Sequence, residues 1–426
     1  MKFERYPAYK DSGVECLGNV PEHWRVRRIK DFSSVVRGGS PRPAGDLKFY
    51  EGDIPFLKVG DLTSNEELYL STYTHTIKKA GLTSTRFIPR NTLLLTNSGA
   101  TLGIPKICTF PTTFNDGIAA FIHLKNIHQV LLFYFLKNRT KWYLNQASLG
   151  QGQPNLNTEI IGNTFIACPP LPEQKTIAHY IDTKTAQIDR KIGLLTQKAN
   201  LYSNLKQSLI NETVTRGLDK SVPMKDSEID WIGEVPVHWT LNRHKDNFIF
   251  VNKRCDDSTL TKVGLENIES KTGRFITTET EFDGDGIEFV QNDILFGKLR
   301  PYLAKVYLSE FRGNAIGDIF VYRPKRYIYP KFAQYLMISS RYIDVINSST
   351  IGAKMPRVSS SFIADLIVAM PLFHEQKAIA DYLDTKTTQI DQIIQTINTQ
   401  IKKLKELRKT LINDVVTGKI RVTEHQ

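Results

Sequence analysis

No stretch of this chain is apolar for long enough to cross a bilayer. The longest clean apolar run, residues 130–136, is seven residues, against the ~18 or more that a spanning helix needs. Cysteine is scarce. Cys16, Cys108, Cys168 and Cys255 lie far apart and form no CxxC pair, which excludes a disulfide scaffold and leaves incidental thiols of a reducing compartment. Residues 1–10, MKFERYPAYK, hold no apolar core, so no export signal is expected and the cytoplasm is the expected location. Catalytic signatures are missing as well. There is no GxxxxGK[ST] loop for ATP-driven work, no HExxH and no GxSxG. Pro169–Pro170 is flanked by Cys168 and Leu171, so the Asn/Asp-Pro-Pro-aromatic motif of an amino-methyltransferase is absent, and FDGDGIEF at 282–289 holds a lone Gly-x-Gly.

What is present is the composition of a globular protein: 426 residues, 41% hydrophobic and 23% charged, enough for two or three domains. Lys and Arg number 56 against 44 Asp and Glu, a formal charge of +12. That excess favours a polyanionic partner, nucleic acid or an anionic membrane surface.

The chain also repeats itself. Residues 173–192, EQKTIAHYIDTKTAQIDRKI, and 375–394, EQKAIADYLDTKTTQIDQII, share 14 of 20 positions at an offset of 202. Each follows a proline-containing entry, CPPLP or MPLFH, and the copies end alike, LINETVTRG at 209–217 and LINDVVTGK at 411–419. Further forward, KDSGVECLGNVPEHW at 10–24 returns as KDSEIDWIGEVPVHW at 225–239, at an offset of 215. The second variable stretch is therefore 13 residues shorter than the first. These stretches, 25–168 and 240–370, match in outline: KVG at 58–60 and 262–264, NTLLL at 91–95 and NDILF at 292–296, and Gly150, Pro154 and Leu156 against Gly352, Pro356 and Val358. Short β-branched and apolar runs between Gly, Pro and Asn predict irregular strand-rich domains, each with an internal helix, at 130–145 and 331–347.

Long helices are predicted over 173–216 and 375–417, where no proline intervenes. Apolar residues recur every seven positions: Ile181, Ile188, Leu195, Tyr202 and Leu209, then Leu383, Ile390, Ile397, Leu404 and Leu411. Such heptads read as a coiled-coil seam, and Gly217 and Gly418 stand where the helices stop. At 1.5 Å per residue each would be ~60–65 Å long. A pseudo-two-fold axis would pair them antiparallel, with a globular domain at either end of a fixed spacer. The alternative is a helix that packs only on its own domain. The expected fold class is α+β: two pseudo-repeated α/β-mixed domains separated by two long antiparallel coiled-coil helices. The boundaries are domain one 1–172, spacer one 173–217, domain two 218–374, spacer two 375–420 and a tail 421–426.

These features together resemble the specificity (S) subunit family of type I restriction–modification enzymes. The resemblance covers nearly the whole chain and rests on PLPEQK and PLFHEQK, YIDTKTAQID and YLDTKTTQID, the two G-x-VP-x-HW segments and RGGSPRP at 37–43. It implies two target-recognition domains, each reading one half of an asymmetric, bipartite double-stranded DNA site. The helical regions then act as ruler and as docking surface for methyltransferase subunits, two by expectation, with restriction/translocase subunits joining through the assembled complex. It implies no catalytic residue, metal or cofactor in this chain, and no membrane partner.

Phosphates need Lys, Arg and backbone amides, and base edges need forked or amide side chains on loops. In the first domain the candidates are Arg37, Gly38, Gly39, Ser40 and Arg42 in one loop and Asn97, Ser98, Thr101 and Lys106 in TNSGATLGIPK. In the second they are Lys253 and Arg254, then Lys298, Arg300, Tyr302 and Lys305 around FGKLRPY, and Lys354 and Arg357. The pairs His23–Trp24 and His238–Trp239 sit at the domain entries and read as structural, with Trp buried and His capping or packing. Two rival functions compete with DNA reading. Asp365, Glu375 and Lys377 have the spacing of a metal-dependent nuclease core, but Glu375 and Lys377 lie at a helix start, where acid suits the dipole, and the first copy has Asn163 in place of Asp365. A coiled-coil adaptor that scaffolds proteins without reading DNA is the other, and it predicts no salt-dependent DNA binding.

Overall fold

The computed structural model describes residues 4–147, 155–280, 282–352 and 354–422. Gly150 and Pro154 of the repeat alignment, and residues 423–426 of the tail, lie outside them. The chain forms two compact units, residues 1–193 with 401–426 and residues 194–400. Both boundaries fall inside the long helices, so each unit holds one globular domain and one part of each helix.

In unit one a five-stranded sheet runs in the order Ser34–Arg37, Ile118–Ile122, Thr92–Thr96, Pro105–Cys108, Tyr69–Leu70, antiparallel but for the last pair. Its middle strand, TLLLT, is buried throughout, which is why it reads as a continuous apolar run rather than an alternating one. A second sheet orders Thr76–Ile77, Tyr50–Leu57, Thr112–Phe114, Arg86–Ile88, with Tyr50–Leu57 parallel to Thr112–Phe114. The internal helix spans Gln129–Ala147.

Unit two has the same two sheets, trimmed. Phe248–Val251, Ile319–Pro324, Ile294–Gly297 and Val306–Leu308 form the first, all antiparallel. Lys262–Val263, Gly313–Ala315 and Ile287–Phe289 form the second, with the same parallel and antiparallel pairs. The internal helix expected at 331–347 is two, Pro330–Ile338 and Ser340–Ser348. Ser339 breaks it with an extended ψ of 142°, and its side chain accepts from the Tyr342 amide, the capping role that draws serine out of helix interiors.

The KVG match between the copies does not survive. Leu57 and Val263 occupy the same place beside Phe114 and Ala315. The turn that follows is closed by Asp61 on the Lys58 amide in one unit and by Asn267 on the Gly264 amide in the other. The true offset here is 206, and the two KVG triplets lie two residues out of register. The 13-residue difference now has an address. The offset is 215 where Asp31 and Asp246 cap equivalent turns, 206 at Asp61, 201 at the strand ends Ile88 and Phe289, and 202 at the long helices. Nine extra residues of unit one therefore lie in 38–56, around RGGSPRP, and five in 62–85, where unit one adds the strands Tyr69–Leu70 and Thr76–Ile77; one residue is regained later.

The long helices span Leu171–Arg216 and Phe373–Val416, each starting two residues earlier than expected. Gly217 and Gly418 follow them with φ of +72° and +74°, a left-handed stop that a Cβ would strain. Within unit one Glu173 and Gly418 both meet Trp24, and Asp189 pairs with Arg408 at 2.9 Å. Within unit two Glu375 meets Gly217, and Asp391 pairs with Lys206 at 2.8 Å. In each unit partner numbers fall as helix numbers rise, so the segments run antiparallel. Of the seam residues, Ile181, Leu383, Ile390, Ile397 and Leu411 are buried, and Ile188, Leu195, Tyr202, Leu209 and Leu404 are half-buried. Among the described residues, no helix is long and apolar enough to cross a membrane.

Candidate nucleic-acid interface

The candidate loops converge on one corner of each domain, because the same strand ends meet there. In unit one the Leu156 amide donates to Asn97 O at 2.7 Å and Ser98 bridges Asn155. In unit two the Val358 amide donates to Lys298 O at 3.2 Å and Leu299 bridges Arg357. Gly99 and Arg300 hold the equivalent turn position at φ +79° and +50°. Arg300 is thus a non-glycine residue in the left-handed region, a conformation that costs roughly 1–2 kcal/mol and concentrates at functional sites.

Unit one builds its corner on the turn 114–118. Arg37 Nε donates to Asp116 O at 2.6 Å, Ser40 Oγ to Asp116 Oδ1 at 2.8 Å, and the Gly38 and Gly39 amides to Ile118 O and Phe114 O. A Cβ on Gly38 would collide with the carbonyl oxygens of Phe114 and Asn115, and one on Gly39 with that of Ser84. The glycines therefore permit close approach of the chain to itself, and their amides, candidates for phosphate contact, are taken by Ile118 O and Phe114 O. Arg37 and Arg42 are exposed. Arg42 and Ser40 line a cleft shared with Lys58, Tyr50 and Asn115.

Two candidates of the neighbouring loop are corrected more sharply. Lys106 is only 1% exposed. Its ammonium donates to Asn65 Oδ1 and to the carbonyl of Glu67, and burial lowers its pKa. Asn97 is likewise buried, with its amide unpartnered among the described residues. Lys106 lies on the strand Pro105–Cys108 and Asn97 just past the end of Thr92–Thr96, and both are buried, so neither is displayed to a groove of DNA. Ser98 is half-buried and Thr101 exposed.

Unit two presents cations in pairs held by one acid. Glu288 takes Lys253 at 2.8 Å and Arg312 at 2.5 Å, and those hydrogen bonds hold its carboxyl below the usual range. Asp318 takes Arg357 at 3.0 Å and Lys298 at 3.6 Å, and the Arg357 guanidinium lowers its pKa. Each trio keeps one net positive charge and two ordered cations. Such exposed pairs add little stability, but they fix side chains at the corner. Arg254, Arg300 and Lys354 are exposed, as is Tyr302 at 47%. Lys305 is half-buried and donates to Leu265 O at 2.6 Å, so it serves the turn. Sequence reasoning missed Arg312, Lys58 and Arg86, whose Nε donates to Arg37 O at 3.1 Å. Their signal was faint, since each is an isolated cation on a short strand or strand end.

The nuclease constellation is not assembled. Glu375 accepts from Trp239 and contacts His238, Asp365 pairs with Lys245 and Arg243, and Lys377 pairs with Asp381. Among the described residues no cluster of His, Cys, Asp and Glu is arranged to hold a metal ion.

Comparison with known proteins bears on the whole chain. The family described as the type I restriction modification DNA specificity domain matches residues 21–200 and 252–403. The chain is similar to the MjaVIII and MjaIX specificity subunits of Methanocaldococcus jannaschii. It is 25% identical to the first over 95% of this chain and 94% of that one, and 25% identical to the second over 100% and 99%. Among solved structures, a chain of a type I R-M system superposes with a TM-score of 0.70 at 12% identity, covering 93% of this chain and 98% of that one. The HsdS subunit from Thermoanaerobacter tengcongensis gives 0.56 at 13% identity, covering 94% and 98%.

Proposed function

From the premise that this chain belongs to the type I restriction modification DNA specificity family, we propose how it discharges the role of a DNA sequence-specificity subunit. Each unit reads one half of an interrupted, asymmetric target with the corner described above. The recognition domains are 1–172 and 218–374, and the spacers 173–217 and 375–420 hold the readers at a set gap. The spacers also dock methyltransferase subunits, two by the duplication of the chain, and restriction subunits join through the assembled complex. The chain contributes recognition and no chemistry, and works in the cytoplasm with its partners.

The observation that carries this reading is the pairing of the same framework with different corners. Strand order and hydrogen-bonding directions repeat between the units. The displayed groups do not. Arg37, Ser40, Arg42, Ser98 and Thr101 stand in one unit, and Lys253, Arg254, Lys298, Arg300, Tyr302, Lys354 and Arg357 in the other. Direct readout depends on which donors and acceptors reach base edges, so unlike corners read unlike half-sites.

Binding of duplex DNA by the complex with its methyltransferase subunits, measured across a salt series, tests the role. A reader loses affinity with a log–log slope of about −0.9 per phosphate neutralised. Absence of salt-dependent, sequence-selective binding would return the adaptor reading.

A further inference from the structure

The most strongly repeated sequence in the chain lies at the start of each long helix, and the structure gives its Glu–Gln dipeptide a double use. Glu173 Oε1 accepts from Trp24 Nε1 at 3.0 Å and from Tyr6 Oη at 2.6 Å, while Oε2 meets His23 Nε2 at 2.8 Å. Glu375 repeats the grip on Trp239 at 3.1 Å and His238 at 2.9 Å. Both tryptophans are essentially fully buried. The clasp also closes on the end of the other helix. A Cβ on Gly418 would run into Pro21 and Trp24, and one on Gly217 would press on Glu375 and Trp239.

The glutamine beside it holds the globular domain. Gln174 Oε1 accepts from the His128 amide at 2.6 Å, and its Nε2 donates to Asn126 O at 3.2 Å and Pro169 O at 2.9 Å. Gln376 does the same with the Tyr329 amide at 2.7 Å, Tyr327 O at 3.3 Å and Pro371 O at 2.9 Å. Both amides are about 1% exposed. Two turns on, Tyr134 donates to Asp182 at 2.9 Å and Tyr335 to Asp384 at 2.6 Å. The acid indexes the front segment and the far helix end, and the amide indexes the first turn of the internal helix.

We infer that Glu173–Gln174 and Glu375–Gln376 are positioning residues that seat each spacer helix at one register on its recognition domain, and thereby set the gap the complex accepts between half-sites. This rests on the reading of the helices as a spacer. One base pair more or less moves a half-site by about 3.4 Å and about a tenth of a turn. Helix sliding of two residues, about 3 Å, would blur that difference. A half-buried acid and a buried amide with fixed partners at the first turn exclude such sliding, because any shift strands polar groups at a cost of roughly 1–3 kcal/mol each.

The test measures methylation by the full complex on duplexes carrying both mapped half-sites at gaps from two base pairs shorter to two longer. The paired variants E173A/E375A and Q174A/Q376A are expected to lower discrimination between the parent gap and its one-base-pair neighbours about tenfold, the scale of leaving one polar group without its partner, with the half-sites unchanged. E173Q/E375Q, which keeps an acceptor for the indole N–H, is expected to retain discrimination. H23A/H238A removes half-exposed rings and is expected to relax the gap less, in the same direction; it carries the test if the alanine pairs do not assemble. A wild-type gap profile in the alanine variants, or a uniform loss at every gap, overturns the inference. Adding one heptad to both long helices separates the two claims. If the permitted gap does not move, the spacer reading fails. If it moves while the clasp variants keep the wild-type profile, only the indexing fails.

Discussion

The two clasps and the two reading corners sit in the same units and have opposite characters. The Trp–Glu and His–Glu contacts of the clasps agree between units to 0.1 Å. The corners share strand order, yet unit one inserts nine residues at 38–56 and unit two answers with acid-held pairs of cations. The difference separates what assembly needs from what recognition needs. Groups that meet the chain itself must be the same twice, because the same helices start and stop there. Groups that meet a target need only be displayed from the same place.

The widest separation of the two is exchange of residues 240–365 for another reader of the family. It is expected to replace one half-site entirely and leave the other half and the gap alone; a change in both halves would break the division. Next in size is W24A or W239A. Each removes a buried indole and its hydrogen bond, and is expected to cost about 3–5 kcal/mol, read as a fall in thermal midpoint of the complex, with base preference unchanged.

Much of the framework is legible in the sequence alone, and for the reason just given. Repetition of EQK, of HW and of the helix-ending glycines marks groups with fixed partners, and the heptads mark a seam. The strands around 92–96 and 294–297 are legible because central strands are apolar throughout. What escapes is register and direction. KVG matches by letters but lies two residues out of step, since Leu57 and Val263 are the equivalent residues. Lys106 carries the charge of a phosphate ligand but points inward to Asn65 and Glu67. The helix at 331–347 looks continuous in sequence, yet Ser339 takes a capping conformation and divides it. A one-residue shift on a strand reverses its face, and no single copy of a divergent sequence fixes it.

Charge reversal sharpens the corner itself. R37E/R42E is expected to weaken binding by the first half-site and to lower the magnitude of the salt slope by about 0.9 for each phosphate that is no longer neutralised. Unaltered affinity at physiological salt would remove this loop from the interface.

The smallest expected effect compares two aspartates at equivalent places. Asp384 has Lys331 at 3.3 Å, whereas the equivalent residue of unit one, at the offset of 201, is Val130, and burial raises the Asp182 carboxyl above its ordinary range. A carboxyl raised in the folded state binds its proton more tightly there than when unfolded. Its contribution is therefore favourable in acid and is lost as pH rises through the carboxylate range. D182N keeps an acceptor for Tyr134 and is expected to stabilise unit one by a few tenths of a kcal/mol at neutral pH, a gain that fades toward acid. D384N is expected to show no such gain. Melting curves at neutral and acidic pH read both.

The central claim, two unlike readers on one spacer, is tested most directly by mapping methylated bases across the genome of host cells with and without this gene. The account predicts that deletion removes one motif, interrupted by a fixed gap and different in its two halves. Loss of an uninterrupted or palindromic motif, or an unchanged map while the partner methyltransferase is expressed, would contradict it.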